Sequence, residues 1–153
     1  MLEGHMTFLK DHSAGYLANQ LARLFAEGLQ ERIQALGITT GQFPALLALW
    51  EKDGLTQAEL VRATDVEQAT MAATLKRMER DGLVCRKPHP DDSRAQQVFL
   101  TERAKQIRQL AYTAANEQNG AALADFSPGE VEQFLHLMRK AITTMREQNK
   151  RSS

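Results

Sequence analysis

Between residues 68 and 77 the chain interleaves two groups that hydrogen-bond, Gln68 and Thr70, with two small residues, Ala69 and Ala73, and two cations, Lys76 and Arg77. Neither a nucleophile with its base nor a pair of carboxylates stands among them, so the chemistry on offer is recognition rather than catalysis. Met71, Leu75 and Met78 recur at i, i+4 and i+7, which makes the segment an amphipathic helix and turns the first set outward. Small residues let such a helix sit deep in a groove. Ala69 and Ala73 can meet thymine methyls, Gln68 and Thr70 can bond base edges, and Lys76 and Arg77 suit phosphates. From residue 68 to residue 90 five basic side chains oppose two acidic ones, a net +3 in a chain whose 19 basic and 19 acidic residues otherwise cancel. A solvated amphipathic face carries similar charges when it stands alone. Its neighbours decide between the two.

Those neighbours are legible from capping and periodicity. A first long helix is expected over residues 11–36, with Gly37 at its C-terminal cap. Thr39 and Gln42 have capping-box spacing and should open a second helix, whose stripe is Phe43, Leu46, Leu47 and Trp50 and whose stop is Asp53-Gly54. Thr56 and Glu59 form another box, opening a short helix with Leu60 and Val61 inward and an end near Thr64-Asp65. The helix over 67–81 stops at Asp81-Gly82. The period then changes: residues 83–87 and 96–100 read as two strands around the polar loop 88–95. Thr101 should cap a long fifth helix running to about Leu123, and Ser127-Pro128-Gly129-Glu130 opens a last one with the stripe Val131, Phe134, Leu135, Met138, Ile142 and Met145. The fold class is therefore mostly α with a small β-hairpin wing: a winged helix-turn-helix over 37–101, flanked by long helices at 8–36 and 102–148. In that arrangement the second helix of the pair enters the major groove of double-stranded DNA.

At 153 residues, 42% of them hydrophobic and 25% charged, the chain suits one folded domain with a real core. Met1 to Met6 look like an expression remnant, leaving 7–153 as the domain. No apolar run approaches the roughly 20 residues that span a bilayer, and no secretory layout opens the chain, so no membrane partner and a cytoplasmic location are expected. His5, His12, His89 and His136 are scattered without metal-ligand spacing, and no phosphate-binding glycine loop or nucleophile elbow is present. The expectation is a protein that is not an enzyme and holds no metal or cofactor. Cys85 has no disulfide partner and is expected to be a buried, inert thiol; exposed, it would be a candidate redox sensor beside Arg86 and Lys87.

Gln68-Ala69-Thr70-Met71-Ala72, Arg77-Met78-Glu79-Arg80-Asp81-Gly82-Leu83, Asp91-Asp92-Ser93-Arg94 and Leu100-Thr101-Glu102, with Gly37-Ile38-Thr39 and Gln42-Phe43 upstream, resemble the MarR (multiple antibiotic resistance regulator) family. The match covers residues 37–104 by motif and the flanking helices by layout. The resemblance implies a homodimeric bacterial transcription factor that pairs its terminal helices and sets two winged units on a pseudo-palindromic operator, commonly as a repressor. It also implies that Arg94 is the wing arginine that enters the minor groove and that Asp92 braces the wing. Two positions depart from the family's pattern: Glu67 stands where a serine often opens the recognition helix, and Ala73 where a polar or basic residue is frequent. Direct base readout is then thinner and DNA shape contributes more. The turn before that helix lacks the frequent glycine, but Asp65 tolerates the left-handed conformation better than most residues. Family members commonly release DNA when a small aromatic or phenolic effector binds beside the dimer layer. The corresponding wall here would be His12, Tyr16, Arg23, Phe43, Leu47 and Trp50, of which Phe43, Leu47 and Trp50 also have the spacing of ordinary core. A rival reading is a winged-helix module that binds proteins rather than DNA.

Overall fold

The computed structural model describes residues 7–152; the 1–6 segment read as an expression remnant lies outside the described residues. Seven α-helices and three strands follow one another along them: α1 (Ala14–Ile33), α2 (Phe43–Glu51), β1 (Leu55–Thr56), α3 (Gln57–Thr64), α4 (Gln68–Arg80), β2 (Val84–Pro88), β3 (Gln96–Leu100), α5 (Glu102–Gln106), α6 (Arg108–Ala122) and α7 (Pro128–Ser152), with short 3-10 turns at Lys10–His12 and Gln34–Leu36 on either side of α1. Residues up to 118 form one compact unit and those from 119 a second. No helix is long and apolar enough to cross a membrane among the described residues.

In the first unit the core gathers Ile33, Ile38, Leu46, Leu49, Leu60, Met71, Leu75, Met78, Leu83 and Val98, all essentially without solvent contact. The stripe on α4 is thus buried as its spacing requires, and Thr74 joins it. The Thr56–Glu59 capping box forms in full: the Thr56 hydroxyl accepts from the Glu59 N–H at 3.2 Å and the Glu59 carboxylate accepts from the Thr56 N–H at 3.2 Å. At the end of α3 Asp65 takes a left-handed turn with φ 58°, in place of the missing glycine. The chain then turns straight into α4.

Four features differ from the sequence reading. The Thr39–Gln42 box is half made: Gln42 Oε1 accepts from the Thr39 N–H at 3.1 Å, but the Thr39 hydroxyl does not return the bond, because Gln42 N bonds the Thr39 carbonyl in a tight turn and α2 begins only at Phe43. A third strand, β1, pairs antiparallel with β3 (Leu55 opposite Val98), giving the order β1-β3-β2. The expected fifth helix is two, parted at Ile107. There the Ala104 carbonyl, which an unbroken helix would offer to the Arg108 N–H, accepts the Trp50 indole N–H at 3.0 Å. Cys85, finally, is exposed, because Val84 faces the core and alternation along β2 turns its neighbour outward.

The second unit contains α7, opened by a complete Ser127–Glu130 box: the Ser127 hydroxyl accepts from the Glu130 N–H at 3.2 Å and the Glu130 carboxylate from the Ser127 N–H at 3.0 Å. Phe126 and Phe134 meet edge to face at 5.5 Å. No residue of α7 is buried.

Candidate nucleic-acid interface

Gln68, Ala69, Thr70, Ala73, Lys76 and Arg77 are all exposed along one face of α4, backed by the buried Met71, Thr74, Leu75 and Met78. The face is therefore presented by a helix held from behind, which is what a reading head needs. Among the described residues Lys76, Arg77 and Arg94 hold no ion pair, so their charge is available to an outside anion. Glu67 precedes the helix without capping it, and the N–H groups of the first turn receive no side-chain bond from that position.

The wing is built by pairing β2 with β3, with Val84 opposite Leu100 and Pro88 opposite Gln96. Its loop is closed by local bonds rather than by packing. His89 N donates to the Ala95 carbonyl at 3.0 Å and Ala95 N to the Asp92 carbonyl at 3.1 Å. Asp92 Oδ1 accepts the Arg94 N–H at 3.0 Å, a turn that fixes the backbone from which the exposed Arg94 side chain leaves. An open groove of about 340 Å³ runs between Thr56 and Gln57 at the start of α3, Arg86 on β2 and the Arg94–Gln96 edge of the wing. Arg86 Nε also donates to the Glu79 carboxylate, tying β2 to α4, and Lys87 stacks over Phe99 at 5.0 Å. At the sheet's other edge Asp53 Oδ1 accepts the N–H groups of Gly54 at 3.0 Å and Leu100 at 2.9 Å, which clamps β3 to the turn before β1.

The six residues assigned to an effector wall fall in different surroundings. Phe43 and Trp50 are buried and meet edge to face at 6.1 Å, and Trp50 meets Tyr112 in the same way at 5.6 Å. Leu47, on the same helix, is half-buried against that core. Tyr16 is half-buried on α1 under the Lys10 ammonium at 5.8 Å, while His12 and Arg23 are exposed.

Sequence reasoning missed the polar partners of the α4 C-terminus. Gln42 is buried and donates from Nε2 to Asp81 Oδ2 at 2.9 Å, and the Arg103 guanidinium donates to the Asp81 carbonyl. The Gln42 amide first, and then Arg80, hold the Asp81 carboxyl below its ordinary value. The local capping role of Gln42 uses only its amide oxygen, and the nitrogen left over at the head of an apolar stripe was the one signal that it needed a distant acceptor.

The MarR family matches residues 36–95 of the chain. Over 121 residues, 79% of this chain and 88% of the relative, the sequence is 32% identical to YwoH of Bacillus subtilis (strain 168), an uncharacterized HTH-type transcriptional regulator. The fold is similar to that of Bordetella bronchiseptica BpsR, whose structure addresses regulation of its DNA binding by 6-hydroxynicotinic acid, with a TM-score of 0.81, 22% identity and coverage of 88% of this chain and 96% of that one. It is also similar to a mutant MarR from E. coli complexed with operator DNA, with a TM-score of 0.77, 24% identity and coverage of 83% and 91%.

Proposed function

The chain belongs to the MarR family of DNA-binding transcriptional regulators, and from that premise we propose that it is a homodimeric repressor that binds a pseudo-palindromic operator and releases it on binding a small aromatic effector. The observation that carries the DNA reading is the exposed Gln68–Arg77 face of α4, buried on its other side and accompanied by a wing whose Arg94 is held at its backbone and, among the described residues, has no ion pair at its guanidinium. α4 would read base edges through Gln68 and Thr70, with Ala69 and Ala73 against thymine methyls. Lys76 and Arg77 would anchor phosphates, and Arg94 would enter an adjacent narrow minor groove, where the potential is most negative.

Unsatisfied apolar surface on both terminal helices supports dimerisation. α1 exposes Leu17 and Leu24, and the 25-residue α7 exposes Leu135, Met138, Ile142 and Met145 at helical spacing. Stripes of this kind are covered in a stable protein, and a second copy offers the same surfaces by symmetry. Two copies related by a twofold axis would set their α4 helices about one DNA turn apart. The effector reading rests on the family resemblance and on the regulation of BpsR's DNA binding by 6-hydroxynicotinic acid. With Phe43 and Trp50 already packed on each other, the side chains left to meet an effector are Tyr16, Leu47, His12 and Arg23.

Selection of bound duplexes from a random 30-base-pair pool, followed by sequencing, tests the operator. The expected product is a two-fold symmetric motif with half-sites about one helical turn apart. An unenriched pool would refute sequence-specific DNA binding. Isothermal titration with salicylate and 6-hydroxynicotinate, followed by competition against the selected duplex, tests the effector class.

A further inference from the structure

The inference here rests on the DNA-binding reading above and concerns what holds the recognition helix at its angle. Gln42 is 4% exposed, and its amide is used at both ends. Its oxygen takes the Thr39 N–H, a local bond, while its nitrogen leaves its own segment and donates to Asp81 Oδ2. Asp81 is the C-terminal cap of α4, and its other carboxylate oxygen accepts from Arg80 Nε at 3.3 Å. Arg103, on α5, donates to the Asp81 carbonyl and reaches the Leu36 carbonyl at 3.4 Å. The turn that carries Gln42 is tied in the other direction too, because Gln30 Oε1 on α1 accepts the Thr40 N–H at 3.0 Å. Bonds therefore run from α1 through residues 39–42 to the end of α4.

We propose that Gln42 is a positioning residue for DNA recognition: through Asp81 it fixes the tilt of α4 relative to α1, and hence where Gln68 to Arg77 land in the major groove. Geometry gives the bond leverage. Thirteen residues at about 1.5 Å each make α4 about 20 Å long, so a tilt of about 5° at its C-terminal end moves its N-terminal residues by about 2 Å. That exceeds what a base-edge hydrogen bond tolerates. Asp81 is only half-buried, so water can replace Gln42 as its partner; loss of the bond frees an angle without leaving an orphaned charge in the core.

The test measures dissociation constants for the duplex selected by the wild-type chain. Gln42→Leu removes the donor to Asp81 and, with it, the acceptor of the Thr39 N–H, which water takes up because Thr39 is exposed; binding about tenfold weaker at every pH is expected, with the thermal melting temperature preserved. Gln42→Glu sets a second carboxylate against Asp81. Near pH 8 the two repel and binding should be about thirtyfold weaker; near pH 5 they share a proton, and the ratio to wild type at the same pH should fall to about threefold. The charged groups at this site, Arg80 and Arg103, favour the doubly ionised pair and move that recovery toward lower pH. Gln42→Glu combined with Asp81→Asn reverses donor and acceptor and should restore binding at neutral pH. A purely structural role moves binding and melting temperature together, whereas the positioning role moves binding at an unchanged melting temperature. Folded single variants that bind like wild type, or a Gln42→Glu ratio that is flat with pH, would overturn the positioning role and leave DNA binding standing. A wild-type chain that selects no duplex would overturn the DNA reading and this inference with it.

Discussion

Removing the Asp92 carboxylate separates wing geometry from wing charge. In the structure Asp92 Oδ1 accepts the Arg94 N–H at 3.0 Å, while the Ala95 N–H to Asp92 carbonyl and His89 N–H to Ala95 carbonyl bonds close the loop independently. Asp92→Ala therefore frees the backbone at Arg94 without opening the wing. The lost bond is exposed, so its net worth is about 1 kcal/mol, and water takes up the liberated N–H. Global stability should change by no more than about 1 kcal/mol. DNA affinity should fall by about fivefold, since about 1.4 kcal/mol corresponds to a factor of ten and the bound wing must now be ordered on the DNA. Deleting an anion near DNA acts in the opposite direction, and Asp92→Asn corrects for this because it loses the charge and keeps the acceptor. The assay is fluorescence anisotropy with the selected duplex, and the quantity of interest is the ratio of the Ala and Asn dissociation constants. Equal values for the two variants, or a drop of many degrees in melting temperature for Asp92→Ala, would refute the argument that this carboxylate acts on the approach of Arg94.

Gly54 has φ of 76°, and a Cβ there would lie 2.9 Å from the Phe99 ring; Gly54→Ala should cost about 2 kcal/mol in urea unfolding, with DNA contacts untouched. The Thr56 backbone N–H first, and then its hydroxyl, hold the Glu59 carboxyl below its ordinary value, so the stabilisation is full above the unfolded-state pKa and is lost as pH falls through the lower folded value. Glu59→Gln should accordingly flatten the acid side of the stability profile in urea melts. Paired Ile142→Asp and Met145→Asp substitutions, at positions 47% and 62% exposed on α7, should convert the proposed dimer to a folded monomer in sedimentation velocity and weaken operator binding by more than about a hundredfold.

What could be read in the sequence was whatever is decided locally. The capping boxes at Thr56 and Ser127, the left-handed Asp65 and the buried stripe of α4 depend on residues a few positions apart, and their side chains state their own requirements. What stayed hidden depends on partners far along the chain. The break at Ile107 follows from Trp50 reaching the Ala104 carbonyl, 54 positions away, and β1 is a strand of two residues whose pairing lies on β3. Gln42 was recognisable as a capping residue through its oxygen; its nitrogen finds Asp81 across 39 positions, and no local pattern announces that. The exposure of Cys85 was decided by which face of β2 turned inward, and the neighbouring Val84 settles it. On α4 and the wing, composition and periodicity placed Gln68 to Arg77 on an exposed face, and resemblance singled out Asp92 and Arg94.

The most direct test of the account compares wild type with Arg94→Ala and Arg77→Ala by fluorescence anisotropy, on the selected duplex and on random DNA, at two salt concentrations. The account predicts wild-type preference for the selected duplex by about a thousandfold or more and affinity that falls steeply with salt. Arg77→Ala should weaken binding to both DNAs and reduce the salt slope by about one, as loss of a phosphate contact does. Arg94→Ala should cost most on duplexes with an A·T-rich step beneath the wing. Equal binding of wild type to both DNAs, or indifference to both substitutions, would contradict recognition through α4 and the wing and point to a protein partner instead.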